Sequence, residues 1–329
     1  MCKFLSNRLC KISYKKNCDQ KTNNVQVQPP ILPRPSLAAL GISYRRIPLL
    51  SIGCDIYVDS RLIFEKLEAL FPPSSSHPAI APVLPGPNLA IGRLLQIWTI
   101  DGGIFNRLTQ LVPSESPLMK DEKFTKDREE YSGRRWDKET QDRLRPEALV
   151  EMREAFEFVE EQLLGDGREW VLGSGGPTLA DIQAAWTFQW ITEIPGALSP
   201  DVISKELFPK AFAWIARFKV AVRDAAERHG KAKKLEVDEV LKVLSSASFA
   251  EEKASVEEKD PFKLRKGQEV EVWPIDSGFN QKDRGALVGL NWKEVVIQIK
   301  TRDGQSLRLH APRHGFSIRA VGGEGSSKI

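Results

Sequence analysis

At 329 residues, 41% of them apolar and 28% charged, the chain is long for one core and has enough apolar material to fill two or three domains. A formal charge of +4 is too small an excess to imply a polyanionic partner by itself. No apolar run reaches the eighteen or so residues of a membrane span, and no apolar signal core of about seven residues heads the sequence.

Residues 1–18 hold five Lys or Arg and no acid. That is the composition of a mitochondrial presequence, but its amphipathic period is poor, so a cytoplasmic location is expected. The four cysteines, at 2, 10, 18 and 54, have neither zinc-site nor thioredoxin-pair spacing and read as reduced thiols. Residues 1–24 form an atypical N-terminus. Alternation of Cys10, Ile12 and Tyr14 and the run Val25-Gln26-Val27 are strand-like. The ten residues between them, Lys15 to Asn24, are too few and too polar for a crossover helix joining parallel strands.

Ile47-Pro48-Leu49 then places a proline at a strand edge, where the missing N–H is tolerated. A cis bond there would leave the backbone of Ile47 free to pair with an extended peptide. Asp59-Ser60 precedes an apolar pattern at Ile63, Phe64 and Leu67, so Ser60 is expected at or near a helix N-cap, a setting that holds a carboxylate. The stretch Leu40 to Pro48, with Leu49 and Asp55 to Ile63, resembles the second half of the glutathione transferase N-terminal domain. That resemblance implies glutathione as cosubstrate, with its cysteinyl backbone on Ile47 beside Pro48, its γ-glutamyl end on Asp59 and Ser60, and Arg46 near its glycyl carboxylate. It also implies a thiol-activating Tyr, Ser or Cys just after the first strand. Ser6, Cys10, Ser13 and Tyr14 are of the right types but lie in no recognisable context, so the activating residue stays unassigned; Cys54 reads as a turn residue.

Downstream, residues 76–88 read as a Ser/Pro-rich linker. Helical patterning over 89–111 is interrupted at Gly102-Gly103. Asp121 to Lys138 reads as a solvated, charged arm or helix, and Pro146 as the start of another helix. Trp170-Val171-Leu172-Gly173 with Pro177 to Ile182 resembles the family's C-terminal-domain hallmark, a capping box of Thr178 and Asp181. Phe208 to Phe218 resembles its penultimate helix, with Pro209 in the first turn.

Residues 231–260 read as a charged, helix-compatible connector. After Pro261 the apolar period changes to two, at Val270 and Val272, over Val295 to Ile299, at Leu307 and Leu309, and at Phe316 and Ile318. Turn signals stand at Asp276-Ser277-Gly278, Arg284-Gly285 and Asp303-Gly304. Four or five strands of this kind predict a small SH3-like or OB-like β-barrel over 261–322, followed by a tail, 323–329. From Pro261 onward 12 Lys or Arg face 7 Asp or Glu, and Trp273, Phe279, Trp292 and Phe316 could stack bases, although packing is the commoner fate of such rings. His310 and His314 read as loop residues lacking a third ligand, so no metal is expected.

The expected fold is therefore α+β and multidomain: a thioredoxin-like half-domain over 25–75 with a doubtful first βα unit, an all-helical transferase-type domain over 89–230, and the barrel. Two functions follow. In one, the chain binds glutathione and conjugates or reduces small electrophiles, as a dimer. In the other, the transferase fold is a non-catalytic scaffold whose barrel binds a protein or nucleic-acid partner.

Overall fold

A computed structural model describes residues 10–14, 23–27, 31–73, 80, 86–228, 233–251 and 254–322. The chain divides into two compact units, one of 1–7, 71–126 and 135–231, the other of 8–70, 127–134 and 232–329. Most of the expected linker 76–88 lies outside the described residues, as do Ser6 and the tail.

The second, mixed unit begins with β1 (Cys10–Tyr14) and β2 (Asn23–Val27), then α1 (Pro35–Ala39), β3 (Leu49–Ile52), β4 (Asp55–Val58) and α2 (Ser60–Leu70). β1 and β2 pair antiparallel, Ile12 facing Val25, while β1 lies parallel to β3. An antiparallel pair needs no crossover, so the βα unit that ten residues could not supply is replaced by a hairpin.

The first unit is helical: α3 (Pro87–Thr99), α4 (Ile104–Thr109), α5 (Pro117–Lys120), α6 (Glu122–Ser132), α7 (Lys138–Glu157), α8 (Leu179–Thr192) and α9 (Pro209–Arg228). Residues 127–132 of α6 belong to the mixed unit. Gly103, at φ +84°, separates α3 from α4 as the glycine pair predicts. Pro146, expected to open a helix, instead lies inside α7, because Asp137 caps that helix through the Thr140 N–H at 2.7 Å. The capping box at α8 forms, and Asp181 does more than close it. Its buried carboxylate accepts from the N–H groups of Thr178 and Val171, the Thr178 hydroxyl and the Trp214 indole, all at 2.8–2.9 Å. One acid thus ties a loop and α9 to the head of α8. Phe156, Phe188, Trp214 and Phe218 fill the core around it.

The chain returns to the mixed unit with β5 (Lys233–Leu235), α10 (Val237–Ser245), β6 (Glu269–Pro274), β7 (Asp283–Leu290), β8 (Glu294–Lys300), β9 (Ser306–Pro312) and β10 (Phe316–Ala320). All ten strands form one sheet in the order β10-β6-β7-β8-β9-β4-β3-β1-β2-β5. The expected closed barrel is therefore an open sheet: β9 pairs with β4, Ile56 facing Leu309, and so continues the sheet of β3 and β4. Leu49, Ile56 and Val58 share one core with Val270, Leu287, Ile297 and Leu309.

Two smaller expectations also change. Arg284-Gly285, read as a turn, lies within β7, where Gly285 faces Val270. A Cβ on Gly285 would sit 2.2 Å from the Gln298 carbonyl oxygen, so this glycine serves close strand approach rather than a turn. His310, read as a loop residue, belongs to β9.

Candidate functional site

The residues singled out before and after the β3–β4 hairpin come together. β3 and β4 pair antiparallel with Leu49 opposite Val58, so Pro48 and Asp59 leave the hairpin at the same end. The Ile47–Pro48 bond is cis. Ile47 is 41% exposed, leaving its side of the chain open to solvent.

Asp59 rather than Ser60 is the N-cap of α2. Its carbonyl accepts from the Ile63 N–H at 3.1 Å, and its carboxylate accepts from the Arg61 N–H at 3.0 Å. It holds a left-handed backbone, φ +67°, an uncommon one for a residue other than glycine. Ser60 is the first helical residue, only partly buried, with its N–H among those at the helix start that no carbonyl within the helix satisfies.

Arg46 is already occupied. Its guanidinium donates to the Ser277 carbonyl at 2.6 Å and pairs with Asp276. Both partners lie in the turn after β6, which sequence reasoning read only as a turn. Burial works against the charge, yet Tyr44, Tyr131 and Asp276 hold Arg46 more firmly protonated than a free arginine. Beside it Arg45, almost wholly buried, pairs with Asp127 at 2.6 Å and lies 4.9 Å from the Tyr131 ring centre. Asp127 and Tyr131 thus hold Arg45, three residues before Pro48, a contact that no local pattern announces.

The thiol-activating candidates gain no support. Cys10, Ser13 and Tyr14 lie on β1, whose side chains are not described, and Ser6 is outside the described residues. Cys54 is buried, donates to the Ala247 carbonyl at 3.2 Å, and has its thiol pKa pushed up by burial, the reverse of an activated thiol. Of the four aromatics weighed for stacking, Trp292 alone is exposed, at 62%. Phe316 stacks on Tyr44 at 5.9 Å, and Trp273 lies under the Lys282 ammonium at 4.3 Å.

A GST-like protein from Pseudomonas syringae, known from its crystal structure, superposes with a TM-score of 0.62 over 91% of this chain and 90% of its own, at 23% identity. The fold is glutathione transferase-like. The glutathione S-transferase Blo t 8 aligns at 19% identity over 60% of this chain and 76% of its own, with a TM-score of 0.38, too slight a likeness to bear on the fold. Residues 107–227 match the model of a domain of unknown function, DUF7962. No curated protein matches the chain in sequence. Among the described residues no helix is long and apolar enough to cross a membrane.

Proposed function

We propose that this transferase-like chain binds glutathione at the open end of the β3–β4 hairpin and presents its sulfur to small electrophiles. The reading rests on one observation: the register that sets Leu49 opposite Val58 brings cis-Pro48 and the start of α2 to one end. The Ile47 backbone there pairs with the cysteinyl unit as an added strand would. The Ser60 N–H and hydroxyl take the γ-glutamyl carboxylate, and the Asp59 carboxylate takes its ammonium. Arg46 reaches the glycyl carboxylate only by sharing itself with Asp276. A homodimer in the cytoplasm belongs to the same reading.

The test is retention on immobilised glutathione, with Asp59→Asn as the variant. Asparagine tolerates the left-handed backbone and keeps an oxygen for the Arg61 N–H, so the helix start survives while the charge is lost. Wild type is expected to bind, and the variant to bind at least about tenfold more weakly, roughly 1.4 kcal/mol. Equal binding by the two would sink the site assignment.

The antiparallel pairing of β1 with β2 favours the second reading, the non-catalytic scaffold, because the family's activating hydroxyl is expected after the first strand of a βα unit, whose strands pair parallel. A chain that binds glutathione yet conjugates no aryl halide, and that loses a macromolecular partner on Trp292→Ala, selects the scaffold. Deleting 261–322 would not discriminate, since those strands share the core of β3 and β4.

A further inference from the structure

On the face of β4 and β9 turned away from the shared core, six ionisable side chains from four distant parts of the chain converge. Strand alternation puts Ile56, Val58, Leu309 and Ala311 into the core, and hence Asp55, Tyr57 and His310 on the opposite face. Lys66 of α2, Glu251 and Glu294 meet them there. Asp55 is completely buried. One of its carboxylate oxygens lies 2.8 Å from His310 Nε2, and the other accepts from the N–H groups of Ala250 and Glu251. Asp55 is thereby saturated, and it fixes the imidazole ring.

The other ring nitrogen has no such partner. His310 Nδ1 is buried, makes no hydrogen bond, and lies 3.7 Å from Glu294 Oε2, an oxygen that the Lys66 ammonium approaches to 3.1 Å. The 3.7 Å spacing is too long for a hydrogen bond. It is close to the roughly 3.4 Å that separates two ligand atoms held about 2.1 Å from one tetrahedral ion. One ligand oxygen of Glu251 completes a set whose atoms all lie within 4.8 Å of one another. With a neutral imidazole, three carboxylates stand against the single ammonium of Lys66, a deficit of two positive charges. Arg308, on the same strand face, turns its guanidinium to the Glu251 carbonyl and the Phe249 ring.

We propose that Glu251, Glu294 and His310 Nδ1 form a site for one divalent first-row transition ion, with Asp55 as the outer carboxylate that orients the histidine. Ligating histidines commonly donate their second N–H to such a carboxylate, which fixes the tautomer and raises ligand basicity. Two carboxylates and one imidazole suit zinc, cobalt or manganese and leave a fourth position open. Lys66, whose ammonium lies 3.1 Å from Glu294, holds the space as a tethered monovalent cation. Its side chain is one-fifth exposed, so the ammonium can leave for solvent when an ion enters.

The experiment is titration of the chelator-treated, full-length chain with Co²⁺ alone, followed by visible absorption and by displacement with Zn²⁺. One saturable equivalent is expected, with ligand-field bands of a four- or five-coordinate ion and no thiolate charge-transfer band, which separates this site from the cysteines. His310→Gln should abolish the bands. Glu251→Gln, at a partly exposed position, should weaken binding at least tenfold and keeps the test open if the histidine variant does not fold. Lys66→Met should tighten binding by removing the competing ammonium. No saturable spectrum from the wild-type chain overturns the site even if Lys66→Met binds cobalt, as does a spectrum indifferent to both ligand substitutions.

Discussion

Asp283 stands at the head of β7 with its carboxylate under the N–H groups of Ser43 and Tyr44, at 2.6 and 3.2 Å. Those two donors favour the ion, but burial opposes it and prevails, pushing the group up to about 7. An unfolded aspartate titrates near about 3.9. The folded group therefore binds its proton the more tightly. The stability it contributes is complete below the unfolded value and is lost as pH rises through 7, at most about 4 kcal/mol. Asparagine at this position keeps an acceptor for Ser43 and Tyr44 and carries no charge to desolvate. Thermal unfolding of Asp283→Asn should gain on wild type steadily from pH 4 to pH 8 and then level off. A gap between the two proteins that does not change with pH would refute the charged, buried state.

Glycines report the same kind of constraint at the level of elements. β6, β7 and β8 lie so close at Gly285 that an alanine there would drive its methyl group into the Gln298 carbonyl, and strand backbone cannot swing aside. Gly285→Ala should cost about 1–3 kcal/mol, as overpacking does. Gly175, in the helical unit with nothing within 4 Å of its would-be Cβ, serves as the control and should change little. Denaturant midpoints measure both, and equal effects would show that close approach is not what Gly285 serves. This position also shows why β7 was hidden. Arg284-Gly285 carries a turn signal locally, and only the partner strands reveal that the glycine accommodates a neighbour. Pro146 misleads in the same way, since a proline fits a first turn by propensity, yet Asp137 starts the helix two turns earlier. What local chemistry decides was legible: the cis-proline hairpin, the Thr178–Asp181 box, α9 with Pro209 in its first turn, and the period-two strands after 261. Of the candidate site, the meeting of Pro48 and Asp59 was legible because a four-residue strand, a two-residue turn and a second strand fix their register. The pairing of Arg46 with Asp276, 230 residues away, and of Asp55 with His310, 255 residues away, has no local signature.

Those long separations decide how the whole chain folds. Among the described residues, the core of the mixed unit draws on 37–58, 235–244 and 270–318, and 11 of its 24 buried residues come from beyond Pro261. β4, flanked by β9, would become an exposed edge if the last five strands were removed, and such edges invite aggregation. Among the described residues, the buried core of the helical unit spans 95–218, with Ile91, Ala221 and Val222 packed against it, and it closes around Asp181. A chain ending at residue 260 should therefore lose the cooperative unfolding of the mixed unit and become insoluble, while a fragment of residues 86–228 keeps a cooperative helical transition. Circular dichroism with thermal melts of the two fragments and of an isolated 261–329 peptide reads this directly. Ordered, reversible folding of 261–329 by itself would restore the autonomous C-terminal domain. Loss of structure in both halves of the divided mixed unit is expected, because each carries one side of the same buried interface and neither carries enough apolar area to close it.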